Sequence, residues 1–214
     1  MADAADATVV DGALAERWPD ASCELYARDP WELLVAVILS ARTADERVNQ
    51  VMAVLNEHFT GPEAFADIDP RMLANVIRRV PLYNQKARAI VEAARAVVYQ
   101  HGGVVPKTLA ELVRMPGVGR KTAAVVVGNA FGVPAIAADQ HVQRIAYRLG
   151  WTRREDARLA EESLAERFDE SVWVKRCHQL IRLGRDCCRP KRPWCSRCPI
   201  GPKWCPQVDV SDSR

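Results

Sequence analysis

The chain has 214 residues, 49% hydrophobic and 27% charged, with a formal net charge of +3. That length accommodates one large domain or two small ones, and the balance is ordinary for a globular protein. The longest uncharged apolar run, Leu33 to Ala41, is too short to span a bilayer, which excludes a helical membrane anchor. The acidic N-terminus lacks the basic-then-apolar order of a signal peptide, so the expected location is the cytoplasm or its nucleoid.

Charge is unevenly placed. Residues 1–20 carry five acids against one base, Arg17, whereas residues 172–205 carry nine bases against Asp186 alone. Such asymmetry points to a polyanion partner for the C-terminal part or, more blandly, to a solvated charged face.

Helix signals dominate in chain order. Asp29-Pro30 offers an N-cap followed by proline at the first helical position, opening the stretch WELLVAVILSA. Thr43–Glu46 has capping-box spacing ahead of Val48, Met52 and Leu55. Asp69-Pro70 repeats the cap and proline before Met72–Val80, and the alanine-rich Tyr83–Gln100 stops at Gly102-Gly103. Thr108–Glu111 and Thr152–Glu155 are further capping-box matches. Ala123–Val127 is β-branched enough for a strand, but it continues into Gly128-Asn-Ala-Phe131 and fits a buried helix better. The predicted fold is all-α.

Leu112-Val-Arg-Met-Pro-Gly-Val-Gly-Arg-Lys-Thr122 is the most informative segment. Pro116 ends one helix, and Gly117 and Gly119 are expected to take angles closed to other residues. The next helix begins at once, so the unpaired amides of its first turn form a phosphate site. A tight helix–helix connection is the plainer alternative. Lys121 lies in that first turn, where a cation is disfavoured. If it is also partly desolvated, more of the amine is neutral and able to attack a carbonyl-like carbon. A solvated surface lysine is the plainer reading. Eighteen residues later, Asp139 precedes the periodic run Val142, Ile145, Ala146, Leu149. It is placed to cap that helix, and a carboxylate beside an amine can also stabilise developing positive charge or move protons.

Cys188, Cys195, Cys198 and Cys205 stand at C-x6-C-x2-C-x6-C, four of the seven cysteines. Four thiolates this close bind Zn²⁺ or a [4Fe–4S] cluster, and the spacing favours iron–sulfur because paired C-x2-C knuckles are missing. Cys187 is an extra thiol beside the first ligand, while Cys23 and Cys177 read as ordinary buried thiols. Between the first two ligands, Arg189, Lys191 and Arg192 project from a short loop that can meet the phosphates of a polyanion.

Met115–Ala123 resembles the helix–hairpin–helix of the endonuclease III family, and the Gly/Pro loop ending at Asp139 resembles the second half of that superfamily's signature. The match also takes in Pro30–Ser40, Leu82-Tyr-Asn-Gln-Lys86 and the cysteines, roughly residues 25 to 205. The resemblance implies an all-helical base-excision-repair enzyme, acting as DNA N-glycosylase and AP lyase on oxidised or damaged pyrimidines in duplex DNA. Lys121 would attack the sugar C1′ of a flipped nucleotide, and Asp139 would assist. It implies a [4Fe–4S] cluster on the four cysteines, with Cys188 as first ligand by its distance from Gly184. In these relatives the last cysteine interval is commonly one residue shorter, so the loop here should bulge.

The resemblance further implies DNA contacts from Gly117, Val118, Gly119, Arg120 and His141 as well as Lys191 and Arg192, with Arg42 and Leu82 as wedges. Arg42 stands where a glutamine is common, and Pro81 where a glycine is. It implies two helical domains, residues 23–133 and residues 1–22 plus 134–214, with DNA across the groove between them. The expected partner is duplex DNA carrying damaged bases or abasic sites, the expected state a monomer. The sister adenine glycosylase resembles this chain less, since Ala36 occupies the position of its catalytic glutamate. Same-fold glycosylases for pyrimidine dimers or mismatches, and a non-catalytic DNA-binding module, are the remaining alternatives.

Overall fold

A computed structural model describes residues 4–214. Among them every regular element is helical: α1 (Ala7–Arg17), α2 (Pro30–Ser40), α3 (Asp45–His58), α4 (Glu63–Ala66), α5 (Pro70–Val76), α6 (Tyr83–His101), α7 (Leu109–Arg114), α8 (Arg120–Phe131), α9 (Gln140–Arg148), α10 (Ala157–Arg167), α11 (Trp173–Asp186) and α12 (Gly201–Trp204). No helix of the described residues is long and apolar enough to cross a membrane. The chain divides into two compact units, Cys23–Val133 and the two chain ends, Met1–Ser22 with Pro134–Arg214.

The unit Cys23–Val133 is organised around α2. Its residues Trp31 to Leu39 are all buried, and α3, α6 and α8 pack against it. Each fully buried Leu, Ile or Val there contributes about 2 kcal/mol. Asp29 begins the helix by accepting a hydrogen bond from the Glu32 amide, with Pro30 in the first turn. Thr43 does not cap α3, contrary to its capping-box spacing: Ala44 holds that position with no side-chain bond. The Thr43 hydroxyl instead donates to the Ala41 carbonyl and accepts from Lys86. Asp69 caps α5 as expected, but that helix stops at Val76 and a turn carries the chain to Leu82. The α6 helix ends on Gly102 in the left-handed conformation.

In the other unit, α9, α10 and α11 pack together and α1 lies on α11. Their core includes Val10, Leu14, Val142, Ile145, Leu149, Leu164, Leu180 and Leu183, with Trp151 edge-on to Phe168 at 5.7 Å. The fully buried Gln179 donates to the carbonyls of Leu14 and Trp18 at the end of α1. Asp156, not Thr152, caps α10; the Thr152 hydroxyl turns to the Arg154 carbonyl. Arg176 is buried against Asp11 at 2.5 Å, so it leaves the basic face that the charge count suggested.

Candidate active site and cysteine pocket

The α7–α8 hairpin is set by two buried anchors, Met115 and Val118, joined by an amide-to-carbonyl bond of 3.2 Å. Between them Gly117 has φ +73°, the left-handed region that only glycine enters without strain. Gly119 is different: its φ is −80°, and no atom lies within 4 Å of where a Cβ would stand. Its missing side chain opens the surface; it does not relieve the backbone. Val118 is buried, so only its backbone can face a ligand. No side chain caps α8, and Gly119, Arg120 and Lys121 are exposed at its start. The Lys121 side chain is thus on the surface, the plainer of the two readings its position allowed.

Asp139 caps α9 in the other unit. One oxygen, Oδ1, accepts from the amides of His141 (2.8 Å) and Val142 (3.0 Å), and Oδ2 takes no part in the cap. The half-buried carboxylate therefore keeps an oxygen for other work. Arg144, one turn on, sits 3.0 Å from Nδ1 of His141. A guanidinium only donates, so Nδ1 accepts and the ring's proton belongs on Nε2.

The cysteines converge on one pocket. It is lined by Cys188, Cys195, Cys198 and Cys205, and also by Cys187, Arg148, Trp194 and Val210. Sequence reading missed two arginines of α9: Arg148, which lines the pocket, and Arg144, which holds the Cys188 backbone. Arg144 donates to the Cys188 carbonyl at 2.8 Å; Arg148 donates to the carbonyls of Arg189 (2.6 Å) and Pro190 (2.9 Å) and reaches the Cys188 Sγ at 3.5 Å. Their spacing of four on a helix with an apolar face was the available signal. Burial pushes the Cys195 and Cys205 thiols up and the Cys198 thiol up to about 11, and Cys188 adds to each by charge repulsion. Thiols so arranged lose their protons readily only to a cation bound among them.

Among the described residues no three of His, Cys, Asp and Glu close on a point fit for a single metal ion. The four cysteines line one pocket. Soft donors around a cavity, with the Arg148 guanidinium beside them, fit an anionic multi-iron cluster. The last cysteine interval does not bulge: it forms the helical turn α12, entered through Gly201 at φ +66°. The Cys187 thiol donates to the Arg197 carbonyl at 3.7 Å. In the loop, Trp194 is flanked by Arg189 and Arg197, 4.3 and 5.0 Å from its ring centre. Lys191 is exposed, and Arg192 is exposed but paired with Asp212 at 2.9 Å.

Arg42 and Leu82 share the unit Cys23–Val133 and an unusual backbone. Both are exposed, and both adopt left-handed conformations, φ +57° and +59°.

These features define a helix–hairpin–helix protein with a cysteine-lined pocket, and comparison with known proteins agrees. Residues 35–170 match the model of the HhH-GPD superfamily base excision DNA repair protein. Endonuclease III of Bacillus subtilis (strain 168) is 41% identical, over 87% of this chain and 86% of its own length. Endonuclease III of Escherichia coli (strain K12) is 37% identical, over 87% and 89%. A solved structure of a trapped endonuclease III–DNA covalent intermediate superposes with a TM-score of 0.89 at 38% identity, covering 97% of both chains. The chain belongs to the endonuclease III family, a family of base-excision DNA repair enzymes. Its all-helical fold is the one that the sequence led us to expect.

Proposed function

We propose that the chain is a bifunctional DNA glycosylase and AP lyase that removes oxidised or saturated pyrimidines from duplex DNA in the cytoplasm. The observation that carries this reading is Lys121, exposed in the uncapped first turn of α8, in a chain similar to a protein trapped covalently on DNA. The α8 amides and the open surface at Gly119 seat a backbone phosphate. Arg120, His141 through Nε2–H, Lys191 and Arg192 add contacts; Arg192 must first exchange Asp212 for phosphate. Arg42 and Leu82 fill the space that the extruded nucleotide leaves.

The Lys121 amine, in its deprotonated form, attacks C1′ of the flipped nucleotide. The C1′–N bond breaks, and its electron pair leaves with the base. Asp139, through the oxygen spared by the cap, stabilises positive charge on the sugar and accepts the proton that Lys121 sheds. The C1′–O4′ bond then breaks, O4′ takes a proton from solvent, and an iminium is left on Lys121. Loss of a proton from C2′ then expels the 3′ phosphate, and water releases the enzyme.

Cys188, Cys195, Cys198 and Cys205 would hold a [4Fe–4S] cluster, which when bound cross-links the loop that presents Lys191 and Arg192. Hydrolysis of a glycosidic bond requires no electron from it.

Borohydride reduction on duplex DNA with an abasic site tests the chemistry. Wild type should become covalently attached, and Lys121→Ala should not while keeping its fold and most of its DNA affinity. Strand cleavage by Lys121→Ala at the wild-type rate would refute the assignment.

A further inference from the structure

Lys86 is a charged residue of α6 that is buried, only 5% exposed. Its Nζ donates to the Leu39 carbonyl (2.7 Å), the Ala41 carbonyl (2.7 Å) and the Thr43 hydroxyl (2.9 Å). An ammonium has three protons, so its capacity is filled. None of the three partners is a carboxylate; the ion is held by carbonyls at the negative end of α2. Keeping a charge out of water without a counter-ion is costly, and a C-terminal cap alone can be made by water or by an exposed side chain.

What Lys86 grips is specific. Leu39, Ala41 and Thr43 bracket Arg42, and the Lys86 amide donates to the Leu82 carbonyl at 3.0 Å. One residue is thus bonded to both turns. Arg42 and Leu82 are the non-glycine residues of this unit with positive φ. That conformation costs about 1–2 kcal/mol per residue and persists where surrounding contacts impose it.

We propose that Lys86 is a positioning residue for base extrusion, holding the Arg42 and Leu82 turns at fixed spacing so that both side chains enter the duplex together. The inference rests on the wedge reading of Arg42 and Leu82. An extruded nucleotide leaves two things to be filled or held, the vacated stack and the orphan base, and two probes serve both only if their separation is set beforehand. The main-chain bond fixes the Leu82 side of that separation, and the ammonium fixes the Arg42 side.

The test uses a duplex with thymine glycol beside 2-aminopurine, whose fluorescence reports unstacking, and single-turnover base release at saturating enzyme. Lys86→Met should lower both by roughly a hundredfold, the scale of a misplacement of about 1 Å. Thr43→Val keeps the fold, removes one acceptor and should lower both by a smaller factor. Each change is repeated in an Arg42→Ala, Leu82→Ala background. If Lys86 acts through the wedges, neither change has a further effect there. An equal loss in both backgrounds, or no loss in either, overturns the proposal. Wild-type base release and fluorescence in the wedge-less protein would show instead that the wedge reading itself is wrong, and the role of Lys86 falls with it.

Discussion

Gly117 lies so close to Ala89 of α6 that a Cβ on the glycine would stand 2.7 Å from the alanine Cβ. The hairpin turn is therefore pressed onto a neighbouring helix and also needs a left-handed residue. Gly117→Ala should cost more than about 2 kcal/mol, the sum of strain and overlap, seen as a lower urea midpoint. Gly119→Ala meets no protein atom and should leave the midpoint nearly unchanged. It should weaken duplex binding instead, because the methyl group projects where phosphate approaches. Equal loss of stability in the two variants would contradict this division of labour.

Asp139 offers a second separation of roles. Asparagine caps a helix about as well as aspartate, so Asp139→Asn should melt within a few degrees of wild type. Asp139→Ala should lose about 1 kcal/mol by removing the cap. Both should release the base far more slowly than wild type while binding abasic DNA comparably. If Asp139→Asn excises thymine glycol at the normal rate, the carboxylate is a cap and nothing more.

Purified protein should be yellow-brown, with iron and acid-labile sulfide near four per chain. Chelation of the iron should unfold the unit made of the chain ends, since the pocket is walled by α9 and closed by its own loop. Cys198→Ser should lose iron and express poorly. Cys187→Ser should retain iron, because that thiol is already hydrogen-bonded to the Arg197 carbonyl. Zinc in place of iron, or retention of iron in Cys198→Ser with loss in Cys187→Ser, would overturn the ligand assignment.

Pro81 fixes its own φ and removes an amide just before Leu82, which stiffens the exposed turn. Arg42 carries a charge that can reach a base edge or a phosphate. Excision of thymine glycol should accordingly depend on the opposite base, and the paired change Arg42→Gln, Pro81→Gly should flatten that dependence. Each lesion is assayed opposite all four bases. Identical profiles for the two proteins would move the source of selectivity to the base pocket.

Local chemistry made much of this architecture readable in advance. Asp29, Asp69 and Thr108 cap helices where their spacing placed them, and the glycine turn sits between two helices. What escaped was decided by partners distant in sequence. Thr43 has perfect local credentials as a cap, yet its hydroxyl is taken by Lys86, 43 residues on. Arg144 and Arg148 drew no notice in the sequence, and they are buried with their guanidiniums donating to carbonyls of the cysteine loop. The two roles of glycine in the hairpin, one conformational and one steric, were also indistinguishable without Ala89.

The unit that carries the cysteines is made from both ends of the chain, and this imposes an order on biosynthesis. A ribosome completes Cys23–Val133 as an uninterrupted stretch, so that half can fold while the rest is still being translated. Helix α1 has no such opportunity. Val10 and Leu14 find their partners on α11 only when residues 173–186 have emerged, and Gln179 then ties the carbonyls of Leu14 and Trp18. Until that moment α1 lacks the helix it packs against, and residues 173–186 supply it.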